Sequence, residues 1–227
     1  MSTISEYYSE KQKKILRHGP EHRYTFSSGA VRSGKTFINN HLQIKQLPNL
    51  PQGNKALIGK TETTVMRNVL SVMRQQFGAD NVSSVHGRER KVTIFGHDYY
   101  VIGAYDRIST EKLEGIGLSQ ARCDEVATYP ESFFKMLQSR LDKKGARFIG
   151  DCNPHGPYHW LKTEFIDRED ELDVYHQRYT IDDNPFLAEE FKQQIKKEYS
   201  GVWYERMIEG KWTKAEGLIY DMFDESK

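Results

Sequence analysis

Gly29-Ala30-Val31-Arg32-Ser33-Gly34-Lys35-Thr36 satisfies every fixed position of the phosphate-binding pattern G-x-x-x-x-G-K-[ST]. Gly29 and Gly34 permit backbone conformations closed to residues with a Cβ, so that successive N–H groups, those of Ala30, Val31, Arg32 and Ser33 among them, can converge on one anion. Lys35 brings a mobile positive charge to the β/γ-phosphates, and the Thr36 hydroxyl offers a ligand for Mg²⁺. The flanks agree. Tyr24-Thr25-Phe26-Ser27-Ser28 reads as a short strand, and residues 37–44 read as a helix whose N-terminus faces the phosphates.

Working outward, the chain has 227 residues, the size of one generous α/β domain or one domain with a tail. With 33 Lys+Arg against 32 Asp+Glu the net charge is +1, which neither demands nor excludes a polyanionic partner, since a local basic strip suffices to touch one. Cys123 and Cys152 stand far apart without metal-ligand spacing and read as small buried residues of a reducing compartment. Met1-Ser2-Thr3-Ile4-Ser5-Glu6 lacks the layout of a secretion signal, and no apolar run approaches the roughly 20 residues that cross a bilayer. A soluble intracellular protein is expected.

Residues 6–17 read as a charged helix, 55–59 as a second parallel strand, and 61–77 as a helix with Val65, Val69, Val72 and Met73 at helical spacing. Residues 91–95 and 98–103 flank Gly96-His97, which predicts an antiparallel hairpin at the sheet edge. A helix over 130–141, a strand over 146–152, a helix near 157–166 and a strand over 174–181 follow. Asn184 is expected to cap a last helix, with Pro185 in its first turn, running to about Tyr199. Strands alternating with helices imply a doubly wound, mainly parallel α/β sheet.

Hydrolysis needs an acid near the metal and a base for the attacking water. Asp124-Glu125 is the candidate pair, Asp124 for the Mg²⁺ water shell and Glu125 to polarise water toward the γ-phosphate. The preceding 118–123 segment is polar for a central strand, and a solvated acidic turn is the competing reading. Arg32 can stabilise charge on the γ-phosphoryl oxygens in cis. Asn153, at the end of a strand that opens onto the same crevice, either bonds the catalytic water or γ-phosphate or is a plain turn residue. Gln12 is the candidate reader of an adenine edge, or an ordinary surface glutamine. The eight histidines show no metal spacing, and Asp182-Asp183-Asn184 lacks the glycine and distal glutamate of a calcium loop.

In this order, residues 29–36, Asp124-Glu125-Val126-Ala127, Gln138-Ser139-Arg140-Leu141, 152–160, 179–186 and 209–220 make the chain resemble the ATPase domain of the large terminase subunit, the DNA-packaging motor of tailed bacteriophages. The resemblance covers nearly the whole chain. It implies a P-loop NTPase of the RecA-like, additional-strand class over residues 1–210, with 211–227 as a tail toward a nuclease domain. It further implies Mg²⁺-dependent ATP hydrolysis, double-stranded DNA, the portal protein and the small terminase subunit as partners, a homo-oligomeric ring on the portal, no membrane, and the cytoplasm of a bacterial host. Carried over by motif, Lys35 and Thr36 match the phosphate-loop pair, Arg32 its arginine, Asp124 and Glu125 the metal and catalytic acids, and Asn153 the coupling segment. Gln12 matches the adenine-reading glutamine only loosely.

Two departures follow. The sequence ends at residues 221–227, where Asp221, Asp224 and Glu225 have no following sheet to gather further acids, so ATP hydrolysis without DNA cleavage is expected, from an excised domain or one half of a split gene. The trans-acting arginine of the family has no clear counterpart, with Arg107, Lys112, Arg122 and Arg140 all open. Two other classes share the phosphate loop: a small-molecule kinase, for which 107–122 is a poorly basic lid, and a nucleotide-gated assembly switch. The absence of Asn-Lys-x-Asp argues against guanine.

Overall fold

Tyr24–Gly29 forms β1, with all six residues buried. The computed structural model, which describes residues 7–105 and 107–214 but not the side chains at 107–109 and 112, sets this strand in a seven-stranded sheet. The others are β2 (Asn54–Gly59), β3 (Lys91–Ile94), β4 (His97–Gly103), β5 (Leu118–Cys123), β6 (Arg147–Cys152) and β7 (Val174–Tyr179), in the order β3-β4-β2-β5-β6-β1-β7. Only β3 and β4 pair antiparallel, at one edge. Every other neighbouring pair is parallel. β6 is the additional strand, lying between β1, which feeds the phosphate loop, and β5, which ends at the acidic pair.

A parallel sheet must be covered on both faces. One face carries α1 (Glu10–His18), α2 (Lys35–Gln46) and the run α3 (Glu62–Thr64), a π-helical turn Val65–Leu70, and α4 (Ser71–Phe77). Ile15, Ile38 and Leu42 pack there with Ile149 and Tyr179, and Val65, Val69, Leu70 and Met73 with Leu57 and Val101. The other face carries α6 (Glu131–Arg140) and α7 (Trp160–Glu164), whose Phe133, Phe134 and Leu161 lie over Phe26, Ala121 and Phe148. Aromatic edge-to-face contacts knit this side, with Phe134 5.4 Å from Phe148 and 5.0 Å from Phe165. α5 (Arg107–Glu114), α8 (Glu189–Glu198) and α9 (Gly201–Met207) complete the order.

The polar strand β5 is central and wholly buried, and most of its polar side-chain atoms are bonded to neighbouring elements, with Arg122 Nε left without a partner among the described residues. Gln120 accepts from Tyr99 Oη at 2.7 Å and donates to Gln43 O and Gln46 Oε1. Ser119 Oγ donates to Asn54 O, and Arg122 forms a fully buried ion pair with Asp151 at 2.7 Å. Residues of this kind bind neighbouring elements in a fixed register where apolar side chains would only pack.

Three expectations are corrected. The helix near 157–166 is confined to Trp160–Glu164, since residues 156–159 close a separate turn, His159 N donating to Gly156 O, and the His159 ring then caps the helix by accepting from Leu161 N. Asn184 does not cap α8, which starts at Glu189 after Ala188. Its Oδ1 accepts from Phe186 N and its Nδ2 donates to Arg32 O at 2.7 Å, so both ends of the amide are used elsewhere. The strand over 174–181 stops at Tyr179, where Thr180 and Asp183 close a capping box. Lys11 of α1 and Lys196 of α8 pair with Asp183 and Asp182. Both cysteines are buried and unpaired. No helix among the described residues is long and apolar enough to cross a membrane. Of the 211–227 tail only 211–214 are described, so Asp221, Asp224 and Glu225 lie outside the described residues.

His176 on β7 sits 2.7 Å from Ser28 Oγ, and burial, reinforced by Arg178, depresses its imidazolium to about 4. The unfolded chain takes up this proton near 6.5 and the folded chain only near 4, so stability is lost as pH falls through that window. Urea unfolding followed from pH 7 to pH 4 is expected to show this decline, and His176→Phe to flatten it. An unchanged slope in the variant would remove His176 as its source.

Candidate functional site

The phosphate loop joins the C-terminal end of β1 to α2, whose N-cap is Gly34 in the left-handed conformation (φ 85°). Gly29 has φ 146°, and a Cβ there would lie 2.0 Å from the Tyr179 carbonyl oxygen, so only glycine lets the loop leave beside β7. Between them Arg32, which is not glycine, also takes a left-handed φ of 55°. Such a conformation costs on the order of 1 kcal/mol and persists where neighbours fix it. Here Asn184 Nδ2 holds the Arg32 carbonyl, Val31 N donates to Met207 O, and Ser33 Oγ donates to Ala30 O.

The loop forms one wall of a cleft of about 460 Å³ lined by loop residues 31–36 together with Asn68, Glu125 and Asn153. Lys35 is buried, and its ammonium donates to Gly29 O (3.0 Å), Ala30 O (2.6 Å) and Asn153 Oδ1 (3.1 Å). Burial lowers its proton affinity, and the charges of Glu125 and Asp151 oppose that fall. Asn153 completes a bridge, with its main-chain N and its Nδ2 each 3.4 Å from a Glu125 oxygen.

Glu125 follows β5 in a left-handed turn (φ 55°, ψ 47°). Its N–H donates to Asp151 Oδ1 at 3.2 Å, and its carbonyl accepts from Thr128 N and Oγ1. Burial and then the Asp151 charge raise its carboxyl, while Lys35 and the Asn153 N–H draw it down. Asp124 is 3% exposed beneath the cleft wall, its carboxylate accepting from Asn68 Nδ2 at 3.0 Å. Burial and the nearby Asp151 push it well above the ordinary aspartate range, as they would a carboxylate kept without a cation.

Of the residues expected from the sequence, 31–36, Glu125 and Asn153 line this one cleft, and Asp124 lies behind its wall, bonded to Asn68. Ala30, Val31, Ser33, Gly34 and Thr36 form the cradle, and Lys35, Asn153 and Glu125 form a continuous chain across it. Arg32 is exposed at the rim, its guanidinium unengaged among the described residues. Gln12 stands outside the cleft lining. Its Oε1 accepts from Ser9 N in the capping box of α1, and its Nε2 backs onto Gly34, 2.8 Å from where a Cβ would sit. Of the arginine-finger candidates, Arg122 is sealed in its buried ion pair, and Arg140 ends α6 beside Arg23, at the end of the sheet away from the loop. The side chains of Arg107 and Lys112 lie outside the described residues. The sequence reading assigned no role to Asp151, although it placed that strand end at the crevice, and it did not bring Asn184, Arg67 or Asn68 to the cleft, since nothing local to them shows that they reach it.

The donors suit a magnesium-bound triphosphate. A helix N-terminus offers amides to an anion. The buried ammonium has carbonyl, amide and hydroxyl oxygens around it, Thr36 lines the cleft, and Glu125 faces it with raised proton affinity, while Asp124, raised likewise, lies behind the wall.

A family model described as terminase large subunit, T4likevirus-type, N-terminal, matches residues 27–227. Solved structures of the large terminase from the thermophilic bacteriophage D6E are similar to the chain. One is 33% identical with a TM-score of 0.84, and the complexes with ADP and ATP-gamma-S are 33% and 32% identical with TM-scores of 0.82 and 0.81. Each covers 96% of this chain, which spans 57%, 57% and 56% of theirs. The large terminase ATPase domain of Thermus phage P74-26, at 12% identity, shares the fold with a TM-score of 0.64, over 90% of this chain and 93% of its own. Curated proteins give no match.

Proposed function

The chain belongs to the large-terminase family of T4-like type, and on that premise we propose that it is an ATP-hydrolysing motor domain that drives double-stranded DNA into a viral procapsid. The observation that carries this reading is the Lys35–Asn153–Glu125 bridge across the cleft. In it Lys35 and Glu125 stand on either side of the Asn153 amide, which supports reading the one as the phosphate-binding cation and the other as the base. The D6E complexes with ADP and ATP-gamma-S support nucleotide binding here.

The amides of residues 30–36 and Lys35 hold the phosphates. Thr36 and Asp124 would hold Mg²⁺, which when bound would supply charge neutralisation to the phosphates. Glu125 orients the attacking water and takes its proton, and Arg32 meets the charge that develops on the γ-phosphoryl oxygens. Gln12 has its Oε1 committed to Ser9, which leaves its Nε2, beside Gly34, for the adenine edge. Asn153, bonded to both Lys35 and Glu125, is the residue through which nucleotide state reaches the rest of the domain.

In this reading the chain works in the cytoplasm of a bacterial host, as one subunit of a ring on the portal protein, with the small terminase subunit as a further partner. A neighbouring subunit supplies an arginine in trans, and residues 1–227 cut no DNA. ATP turnover is expected to rise with protein concentration and again with duplex DNA, together by as much as about 10³–10⁵ where the arginine finger engages. EDTA is expected to abolish it. Rates indifferent to both DNA and concentration would favour a kinase or a switch, and a phosphorylated acceptor would identify the kinase.

A further inference from the structure

The π-helical turn Val65–Leu70 lies where the helical run between β2 and β3 passes the acidic pair. Such turns are rare and recur at functional sites. Two side chains of the turn face the cleft, Arg67 and Asn68, alongside Lys35, Thr36 and Glu125. Asn68 Nδ2 donates to Asp124 Oδ2 at 3.0 Å, and Arg67 Nε donates to Asn68 Oδ1 at 3.2 Å. The second bond sets the sense of the first: with a donor on Oδ1, the amide can offer only its Nδ2 to the carboxylate. Val65, Val69 and Leu70 of the same turn are buried, which fixes its backbone against the sheet. The far end of the Arg67 guanidinium has no partner among the described residues and opens onto the cleft.

We propose that Arg67 and Asn68 form a positioning relay on the metal side of the site: Asn68 holds Asp124 in the orientation that receives Mg²⁺, and Arg67 ties that orientation to the bound triphosphate. This rests on the reading of the cleft as a magnesium–nucleotide site. Partners that orient a metal ligand typically contribute 10- to 100-fold in metal affinity, without touching the metal. A purely architectural Asn68 would instead move the stability of the empty protein and leave its metal requirement alone.

The test is a Mg²⁺ titration at fixed ATP-γ-S, followed calorimetrically, with ATP-γ-S binding in EDTA and thermal unfolding of the empty protein measured beside it. Asn68→Ala is expected to raise the half-saturating Mg²⁺ about tenfold or more, while binding in EDTA stays within about twofold. Asn68→Gln, which keeps the donor on a longer arm, recovers part of the loss. Arg67→Ala raises the Mg²⁺ requirement and also weakens binding in EDTA, and Arg67→Lys restores the second effect but not the first, having no guanidinium to fix the amide. A folded Asn68→Ala protein with the parent's Mg²⁺ midpoint overturns the relay. Should Asn68→Ala fail to fold, an Arg67→Ala midpoint equal to the parent's overturns it equally. A parent protein that binds no ATP-γ-S overturns the reading of the cleft itself, which distinguishes the two failures.

Discussion

Glu125→Ala is expected to keep ATP binding while turnover falls by about 10²- to 10⁴-fold, the range of a positioned general base. The groups proposed to hold the phosphates, the loop amides and Lys35, come from another strand end and do not depend on this carboxylate for their backbone. Burial and Asp151 raise the proton affinity of Glu125 above that of an exposed glutamate, the direction a base needs in order to take a proton from water. Its left-handed backbone aims the carboxylate at Asn153. Glu125→Gln separates charge from shape, because it keeps the length and a hydrogen-bonding end but cannot accept the proton. Single-turnover hydrolysis and a fluorescent-nucleotide titration read the two quantities apart. Normal hydrolysis in either variant would remove Glu125 as the base. Loss of binding together with turnover would make it a support for Lys35 and Asn153.

Asp151→Ala is expected to destabilise the domain by about 3–5 kcal/mol, the usual result of leaving one member of a buried ion pair alone. Arg122 is 0% exposed, and Asp151 is its only ion-pair partner among the described residues. The same aspartate accepts from Glu125 N through its other oxygen, so it secures the strained turn that carries the base. These two roles predict different rescues. Replacing the pair together, Asp151→Leu with Arg122→Met, should recover most of the stability, since well-packed apolar residues often replace buried ion pairs at little cost. It should not recover turnover, because Glu125 N remains without its acceptor. Denaturant unfolding and ATPase rates on the single and double variants settle both points. A single variant within about 1 kcal/mol of the parent would show that Arg122 finds another way to be satisfied.

Much of the fold was legible because it is written in neighbouring residues. Gly29 through Thr36 specify a loop by backbone freedom and charge, apolar runs at 55–59 and 146–152 specify buried strands, and Gly96-His97 between alternating segments specifies a hairpin. Asp124-Glu125 could be placed at a strand end even though the strand itself looked too polar. That strand is the instructive case. Ser119, Gln120 and Arg122 argue for a surface by composition, and only their partners Asn54, Gln43, Gln46 and Asp151 make the interior acceptable.

By itself, then, the sequence determined the phosphate-loop pattern and most of the alternation of strands and helices, and it placed Asp124-Glu125 at a strand end, since each depends on local conformation and periodicity. The tertiary structure decided which polar groups meet: Lys35 with Asn153 across 118 residues, Asn68 with Asp124 across 56, and Asn184 with Arg32 across 152. The reason is physical. Backbone preference acts between near neighbours, whereas a hydrogen bond between strand ends exists only once sheet order and register have brought them within 3 Å or so of each other.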